Sequence, residues 1–581
     1  MLEDQWDEFN KLLRNRGYLW PSYEIYGGVA GLYDFGPAGT LLKNNIIELW
    51  RKHFIYRQYG LVVEIETPMV TPQIVLKASG HEDHFTDPVV ECLKCGRVYR
   101  ADHLVEESTG IKVEGLSLRE IESIINDKGV KCPIDGGELS APKHALLLFK
   151  TEIGPYKGAL GYIRPETAQG MFTSFKHVLA AIGERLPIGI AQIGKVGRNE
   201  ISPRQGLVRL REFTIMELEF FFDQSKSSEE SMEYLTDELL DVKLRVLYND
   251  LKVAGVKEPV EAPLREFLNK GVIINPWLAY WMAVGQKFVE SLGIPREAIY
   301  FEEKLPHERA HYSAQTFDQL VYSKRYGWIE VAGYAYRTDY DLRGHMTYSK
   351  ADLTYFKKYE KPVEGISRKL VPDVVSIKRD FKESAPLVLS EVFKLSSDLL
   401  ERSLEAHGYV EVGGIKLNKD YFIVREEKTL IHGEKIVPHV VEPSFGLERL
   451  MYVVLEHSFS KASDGRIVMK FQVELAPYKA AVFPLVTGRK EAHQKIKELA
   501  INIYRTLLNS SIPTYYDEEG SIGKRYVKSD EYGIPYAITV DYQSITDGTI
   551  TIRFRDTRSQ VRVSIDELKA VLSKLISTGA Q

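Results

Sequence analysis

Apolar residues along this chain change period several times, and each change predicts a change of element. In residues 41–58, LLKNNIIELWRKHFIYRQ, the apolar positions Leu42, Ile46, Leu49, Trp50 and Phe54 recur at helical spacing, and Gly60 supplies a stop. The following LVVEIETPMVTP alternates as a strand and closes at Pro68, where the missing N–H removes a ladder bond. After Pro165 the text ETAQGMFTSFKHVLAA returns to a helical pattern, with Glu166 near the helix start. Residues 192–222, QIGKVGRNEISPRQGLVRLREFTIMELEFFF, predict two strands joined by an arginine-rich loop. Arg198 and Glu200 would share one face of the first strand, and Phe213, Ile215, Glu217 and Glu219 one face of the second. SSEESMEYLTDELLDVKLRVLYNDL, from Ser227, predicts a long helix. IVPHVVEPSFGLERLMYVVLEHSF predicts a strand over 436–442, then a helix that buries Leu447, Leu450, Met451, Val454 and Leu455 behind Ser444 as N-cap. From Ala476 onward short strands and helices alternate: KAAVFPLV, KEAHQKIKELAINIYRTLL, a strand near 514–517, YAITVDYQ, GTITIRFRDT and a closing helix over 565–576. That rhythm implies a mixed sheet with helices against it, and the chain as a whole is of the α+β class.

The charged residues within these elements narrow the chemistry. A buried carboxylate among apolar neighbours is costly without a partner, so a strand face carrying Glu217 and Glu219 looks into a polar cavity. Arg209 and Arg211 stand between the two strands; a guanidinium fork meets phosphate oxygens in pairs, and Phe213 offers a ring on which a purine can stack. Together these features read as an ATP site. The three cysteines are informative as well: Cys92-Leu-Lys-Cys95-Gly is half of a zinc knuckle, and Cys132-Pro-Ile-Asp135-Gly-Gly resembles a second half whose last thiolate has become a carboxylate. Two readings stand, a zinc site of Cys92, Cys95, Cys132 and Asp135, or a ribbon that has lost its metal and folds on packing alone.

The wording R-N-E, a loop, then R-x-R-E-F resembles motif 2 of the class II aminoacyl-tRNA synthetases, and RNEISPRQGLVRLREFT resembles the homodimeric, archaeal/eukaryotic-like glycyl-tRNA synthetases. YGGVAGLYDFGPAG, RPETAQG, VYRADH, GWIEVAG and EPSFGLER extend that resemblance over nearly the whole chain, with residues 41–68 as motif 1 and 436–458 as motif 3. The resemblance implies a class II antiparallel-sheet catalytic domain with insertions and a C-terminal α/β anticodon-binding domain. It implies ATP-dependent ligation of glycine to tRNA(Gly) through glycyl-adenylate, with Mg²⁺ as cofactor. By it Arg198 and Arg449 are catalytic. ATP would meet Arg198, Asn199, Glu200, Val208, Arg209, Leu210, Arg211, Glu212, Phe213, Glu330, Val331, Gly446 and Arg449. Glycine would meet Arg100, Glu166, Phe213, Glu217, Glu442 and Ser444. Arg337 and the aspartates of RTDYDL read as a structural ion-pair cluster, and Arg553, Arg555 and Arg558 as residues that could meet RNA. The family also implies a homodimer through residues 41–68, whose apolar stripe would need a partner.

Length and composition set outer limits. A chain of 581 residues, 44% hydrophobic and 27% charged, is ordinary for a globular protein of two to four domains. It has no long apolar run, and MLEDQWDEFNKLL is acidic and amphipathic, without a secretory h-region; the expectation is a cytoplasmic protein with no membrane partner. Net charge is −5, yet residues 475–581 hold 15 Lys and Arg against 12 Asp and Glu, which permits local contact with a polyanion. Expected boundaries are 1–84 with motif 1, 85–150 with the partial ribbon, 151–224 with motif 2, 225–325 as a helical insertion, 326–474 with motif 3 and an inserted 350–430, and 475–581 for anticodon binding. Two alternatives are a class II synthetase for another amino acid, against which RPETAQG and EPS argue, and a non-catalytic synthetase-like nucleic-acid-binding module, against which the retained arginines argue.

Overall fold

The computed structural model describes residues 3–579 apart from 59, 112, 114, 156–157, 202, 204–205 and 487–489. Its centre is a nine-stranded sheet. The strands are β1 (Val62–Glu64), β2 (Ile188–Gly197), β3 (Glu212–Phe222), β4 (Lys243–Leu247), β5 (Val260–Pro263), β6 (Ile299–Glu303), β7 (Gln315–Ser323), β8 (Gly327–Thr338) and β9 (His439–Gly446), in the order β5-β4-β6-β7-β8-β9-β3-β2-β1. Neighbours are antiparallel except β1 with β2 and β4 with β6.

The period of two in β3 sorts side chains between the faces. Phe220 and Phe222 point to the back, where helix α3 (Pro276–Ser291) brings Trp277 to a ring distance of 4.6 Å from Phe220. Asn275 caps that helix, its Oδ1 accepting from Trp277 N and Leu278 N. Helix α1 (Pro37–Arg51) joins the same core through Leu42, Ile46, Leu49 and Trp50. The stripe expected to need a second copy is thus covered within the chain. After Arg51 the helix widens into a π-helical turn, Lys52–Tyr56, and Phe54 stacks on Trp50 at 5.0 Å. On the front, helix α2 (Ala168–Ala181) covers the far end of β3, with Phe175 stacked on Phe221 at 4.5 Å. Glu217 and Glu219 share this front face.

Several elements differ from the sequence expectation. The segment after Gly60 joins the central sheet only over β1, since the Thr67 and Pro68 carbonyls turn to the Arg164 guanidinium at 2.8 and 3.4 Å, and Val70–Pro72 pairs instead with Ala159–Ile163. Residues 225–325, expected as a helical insertion, supply β4, β5, β6 and β7 to the sheet. Thr236 accepts from Leu239 N and starts a new short helix there, while Lys-Leu-Arg-Val-Leu alternates and buries Leu244 and Val246. The strand ahead of α4 (Leu447–Ser458) runs to Gly446, so Ser444 lies inside β9 and is not a cap.

Residues 480–564 form a five-stranded mixed sheet in the order Thr514–Tyr516, Ala480–Pro484, Tyr536–Val540, Thr549–Phe554, Gln560–Ser564, covered by Lys490–Asn509 and Leu568–Thr578. Thr354–Ile436 is a separate compact unit, a long hairpin of Tyr355–Pro372 and Phe422–Ile436 carrying a small core built on Ile377, Val388, Val392 and Leu417. No helix among the described residues is long and apolar enough to cross a membrane.

Candidate active site

Strand register builds the site. Glu217 of β3 stands opposite Ser444 of β9, and Ser444 opposite Gly333 of β8, so one row of the front face reads carboxylate, hydroxyl, open glycine. Nothing lies within 4 Å of where a Gly333 Cβ would sit. One residue pair further along β9, Glu442 stands opposite Ala335. The strands therefore present Glu217, Ser444 and Glu442 side by side.

Beside this row opens a cavity of about 130 Å³ whose walls include Arg198, Glu200, Val208, Arg209, Leu210, Phe213, Glu330, Val331, Gly446 and Arg449. Arg198 has left the strand, since β2 ends at Gly197; its Nε donates to Pro165 O, and its guanidinium lies over the Phe213 ring at 5.3 Å and Phe85 at 5.4 Å. Arg449, from the first turn of α4, donates to Val208 O and Glu330 O and meets the Glu330 carboxylate at 3.2 Å. The Glu330 side chain is about half exposed, and Arg449 and Lys304 favour its ionised form and hold it below the ordinary carboxylate range. Arg209 donates toward His103 Nδ1 at 3.3 Å. Among carboxylates and apolar side chains the walls thus bring together three guanidinia and one aromatic ring, groups suited to phosphates and a purine.

Three residues expected to bind ATP do not line this cavity. Arg211 braces the loop instead, donating to Glu200 O and Ala30 O. Asn199 is tied through its backbone N–H to Leu147 O, and Glu212 faces outward, paired with Lys195. Arg100, expected at the amino acid, is engaged by Asp102 and Asp87 on the Arg209 side of the site. The period of two already turns Glu212 away from Phe213, whereas the partners of Arg211 and Arg100 are brought in by folding and are not disclosed by the strand pattern.

The amino-acid end is a buried acidic cluster. Glu217 accepts from Thr167 N at 2.7 Å, Thr167 Oγ1 at 2.5 Å and Ser444 Oγ at 2.8 Å. Glu166 accepts from Gln169 Nε2 at 2.9 Å and lies 3.2 Å from His81 Nε2. Glu442 takes Nη1 of Arg337 at 2.8 Å. Arg337, fully buried, also forks onto Asp341 at 2.8 and 2.9 Å and lies 3.8 Å over the Tyr312 ring. Burial pushes the Glu442 carboxyl up to about 7 against the pull of Arg337, and burial together with Glu166 raises Glu217. For Glu166 burial is outweighed by His81 and Arg337, which hold it well below the usual range.

The spacing Arg337-x-x-x-Asp341 was legible as an ion pair, but not that its guanidinium would neutralise the acidic face. Thr167 and Gln169 lie within RPETAQG, yet that wording pointed only to Glu166, and His81 and Tyr312 carry no motif that sequence reasoning would select.

Elsewhere, the ligand atoms of Cys92, Cys95, Cys132 and Asp135 all lie within 4.8 Å of one another. Tyr99 O–H is 3.2 Å from Cys132 Sγ. Arg553 and Arg555, expected to face RNA, are buried: Arg553 forks onto Asp530 at 2.8 and 3.1 Å, and Arg555 donates to Gly533 O and Phe471 O. Arg558 pairs with Asp464 at 3.0 Å. They link elements and do not offer a free basic face.

Comparison with known proteins agrees with this geometry. The family model "tRNA synthetase class II core domain (G, H, P, S and T)" matches residues 157–458, and "Anticodon binding domain" matches 479–575. The glycine–tRNA ligase of Aeropyrum pernix is 50% identical over 100% of this chain and 98% of its own length. Those of Pyrococcus horikoshii and Methanocaldococcus jannaschii are 47% and 40% identical over 99% and 98% of this chain, and 99% and 98% of their own lengths. Among solved structures, Giardia lamblia prolyl-tRNA synthetase in complex with prolyl-adenylate superposes with a TM-score of 0.52 at 14% identity, over 99% of this chain and 79% of that one. At that identity the likeness speaks for the fold.

Proposed function

This chain belongs to the glycine–tRNA ligase family of class II aminoacyl-tRNA synthetases, and from that premise we propose how its site activates glycine. The reaction joins glycine to ATP as glycyl-adenylate with release of pyrophosphate, then passes glycine to the terminal ribose of tRNA(Gly). The supporting observation is the convergence of Glu166, Glu217, Glu442 and Ser444 on one sheet face beside a cavity walled by Arg198, Arg209 and Arg449.

No side-chain nucleophile is required. The glycine carboxylate attacks the α-phosphorus, and pyrophosphate leaves with the electron pair of the broken P–O bond. Arg198 bridges carboxylate and α-phosphate and stabilises the charge that builds on the transferring phosphorus. Phe213 carries the adenine on the face that Arg198 leaves open, and Arg209 and Arg449 hold the leaving phosphates. Mg²⁺ bound with ATP would supply further charge neutralisation, and the Glu330 carboxylate on the cavity wall would offer it an oxygen ligand. Glu166, Glu217 and Glu442 receive the ammonium, and Arg337 keeps that cluster from repelling the carboxylate of its own substrate.

Residues 479–575 receive the anticodon end of tRNA(Gly). Cys92, Cys95, Cys132 and Asp135 hold one Zn²⁺, because three sulfurs and a carboxylate already gathered within 4.8 Å fit a tetrahedral shell; the metal is structural, and no step passes through it. The protein acts in the cytoplasm as a homodimer of the family's kind, and the exposed apolar Met69, Val70 and Ile74 after motif 1 are the surface we assign to the second copy. Amino-acid-dependent exchange of labelled pyrophosphate into ATP, run across all twenty amino acids, tests the activity. Glycine alone should support it, and exchange with threonine, proline or histidine in its place would overturn the assignment.

A further inference from the structure

Adenylate formation leaves one buried carboxyl without a task. Glu219 follows Glu217 by two residues on β3 and so shares its face. The register, with Glu217 opposite Ser444 and Phe220 opposite Val441, sets Glu219 across from Glu442. Glu219 has no exposed surface, and neither of its oxygens has a hydrogen-bond partner among the described residues. Glu442, Glu217 and Asp341 bring negative charge to it, while the nearby cation, Arg337, is already spent on Asp341 and Glu442. Glu166 stands beyond Arg337, bound to His81, and His345 is turned to Gln169.

An ionised carboxylate in such a place would have neither donor nor counter-ion, so the neutral form is retained; burial raises Glu219 well above the ordinary range. A neutral acid differs from its neighbours in having something to give. Glu442 uses only Oε2 on Arg337, which leaves its other oxygen for an ammonium, and a carboxylate that accepts from two cations gains from a third, uncharged donor.

We propose that Glu219 is held as a neutral carboxylic acid and acts as a positioning residue of the amino-acid pocket, its O–H turning to Glu442 when the substrate ammonium draws that carboxylate in. A neutral Glu219 thereby adds no further negative charge to the carboxylates around Arg337, and still fixes Glu442 from below. This rests on the glycine pocket described above, but its first test needs no substrate.

In the infrared spectrum of the full-length protein above neutral pH, a protonated-carboxyl C=O band should be present and vanish in Glu219→Gln; absence of that band from the difference spectrum overturns the proposal. In pyrophosphate exchange, Glu219→Leu should raise KM for glycine about tenfold with KM for ATP unmoved, the scale of one hydrogen bond to a charged group. Glu219→Gln, which keeps a donor, should recover most of that loss. If the glutamine variant is as impaired as the leucine one, an ionised Glu219 is required and the proposal fails. A band that vanishes without any change in KM for glycine in either variant would overturn the positioning role alone; exchange that ignores glycine in the wild type would overturn the pocket itself.

Discussion

Replacing Glu166 by glutamine removes one charge from the acidic cluster while leaving its hydrogen bonds nearly intact. The carboxylate accepts from Gln169 Nε2 and faces His81 Nε2, and the amide can serve both: its oxygen accepts from Gln169, and its N–H donates to His81 in the tautomer that carries its proton on Nδ1. That tautomer is already provided for, since His81 Nδ1 lies 2.8 Å from Ser79 Oγ. The fold should therefore persist. What is lost is the charge that meets the substrate ammonium. Hydrogen bonds to charged groups contribute about 1.5–3 kcal/mol, and each 1.36 kcal/mol is a factor of ten, so KM for glycine should rise between about tenfold and about a hundredfold. Glu166 lies outside the ATP cavity, so KM for ATP should stay within about twofold on the same scale. Pyrophosphate exchange with each substrate varied in turn measures both. A parallel rise in the two constants, or no rise for glycine, would mean that Glu166 only supports the start of α2.

Other perturbations separate the parts of the site. Arg198→Ala should depress adenylate formation by at least ~10²-fold, as loss of one preorganised donor does, with tRNA binding retained in a filter-binding assay; near-normal exchange would remove Arg198 from the chemistry. Glu442, pushed up to about 7, is neutral below that pH, so KM for glycine should rise as pH falls through about 7 while KM for ATP does not. The stability sign is opposite: a carboxyl raised in the folded state favours folding at low pH, and denaturant titration of the free protein should show stability falling as pH rises through about 7. Chelation should loosen residues 85–150 to proteolysis without abolishing glycine activation, and protein prepared with zinc should carry one ion per chain by metal analysis; zinc-free protein would establish packing alone as what holds the ribbon. Arg553→Ala, which strands the buried Asp530 carboxylate, should cost about 3–5 kcal/mol in denaturation with little direct effect on tRNA affinity of the folded fraction, whereas an RNA-contacting arginine would show the reverse.

The strands were legible where one face is apolar and the other carries chemistry. Phe220 and Phe222 on one side of β3 and Glu217 on the other fix both its period and its facing. Ser444 was misplaced because a serine before a helical pattern has the form of an N-cap, while its hydroxyl is in fact spent on Glu217, a partner 227 positions away. Residues 227–251 looked helical because their apolar spacing fits both periods, and only the cap at Thr236 and the neighbouring strands decide. Arg211, Arg553 and Arg555 illustrate a general limit: an arginine near a ligand site and one that braces a loop have the same letter, and which it is depends on carbonyls and carboxylates brought in by folding. His81 and Tyr312 were invisible, and the role of Gln169 within RPETAQG unread, for the complementary reason, since these residues surround charges whose position the sequence does not state.

The central claim is that one ligand spans both halves of the site, its ammonium among Glu166, Glu217 and Glu442 and its phosphate on Arg198. A crystal structure of the full chain with a non-hydrolysable glycyl-adenylate analogue tests that directly. The ammonium should lie within hydrogen-bond distance of at least two of those carboxylates, the α-phosphate mimic on the Arg198 guanidinium, and the adenine against Phe213. An ammonium held by other residues, with the acidic cluster still closed on Arg337 and His81, would contradict it.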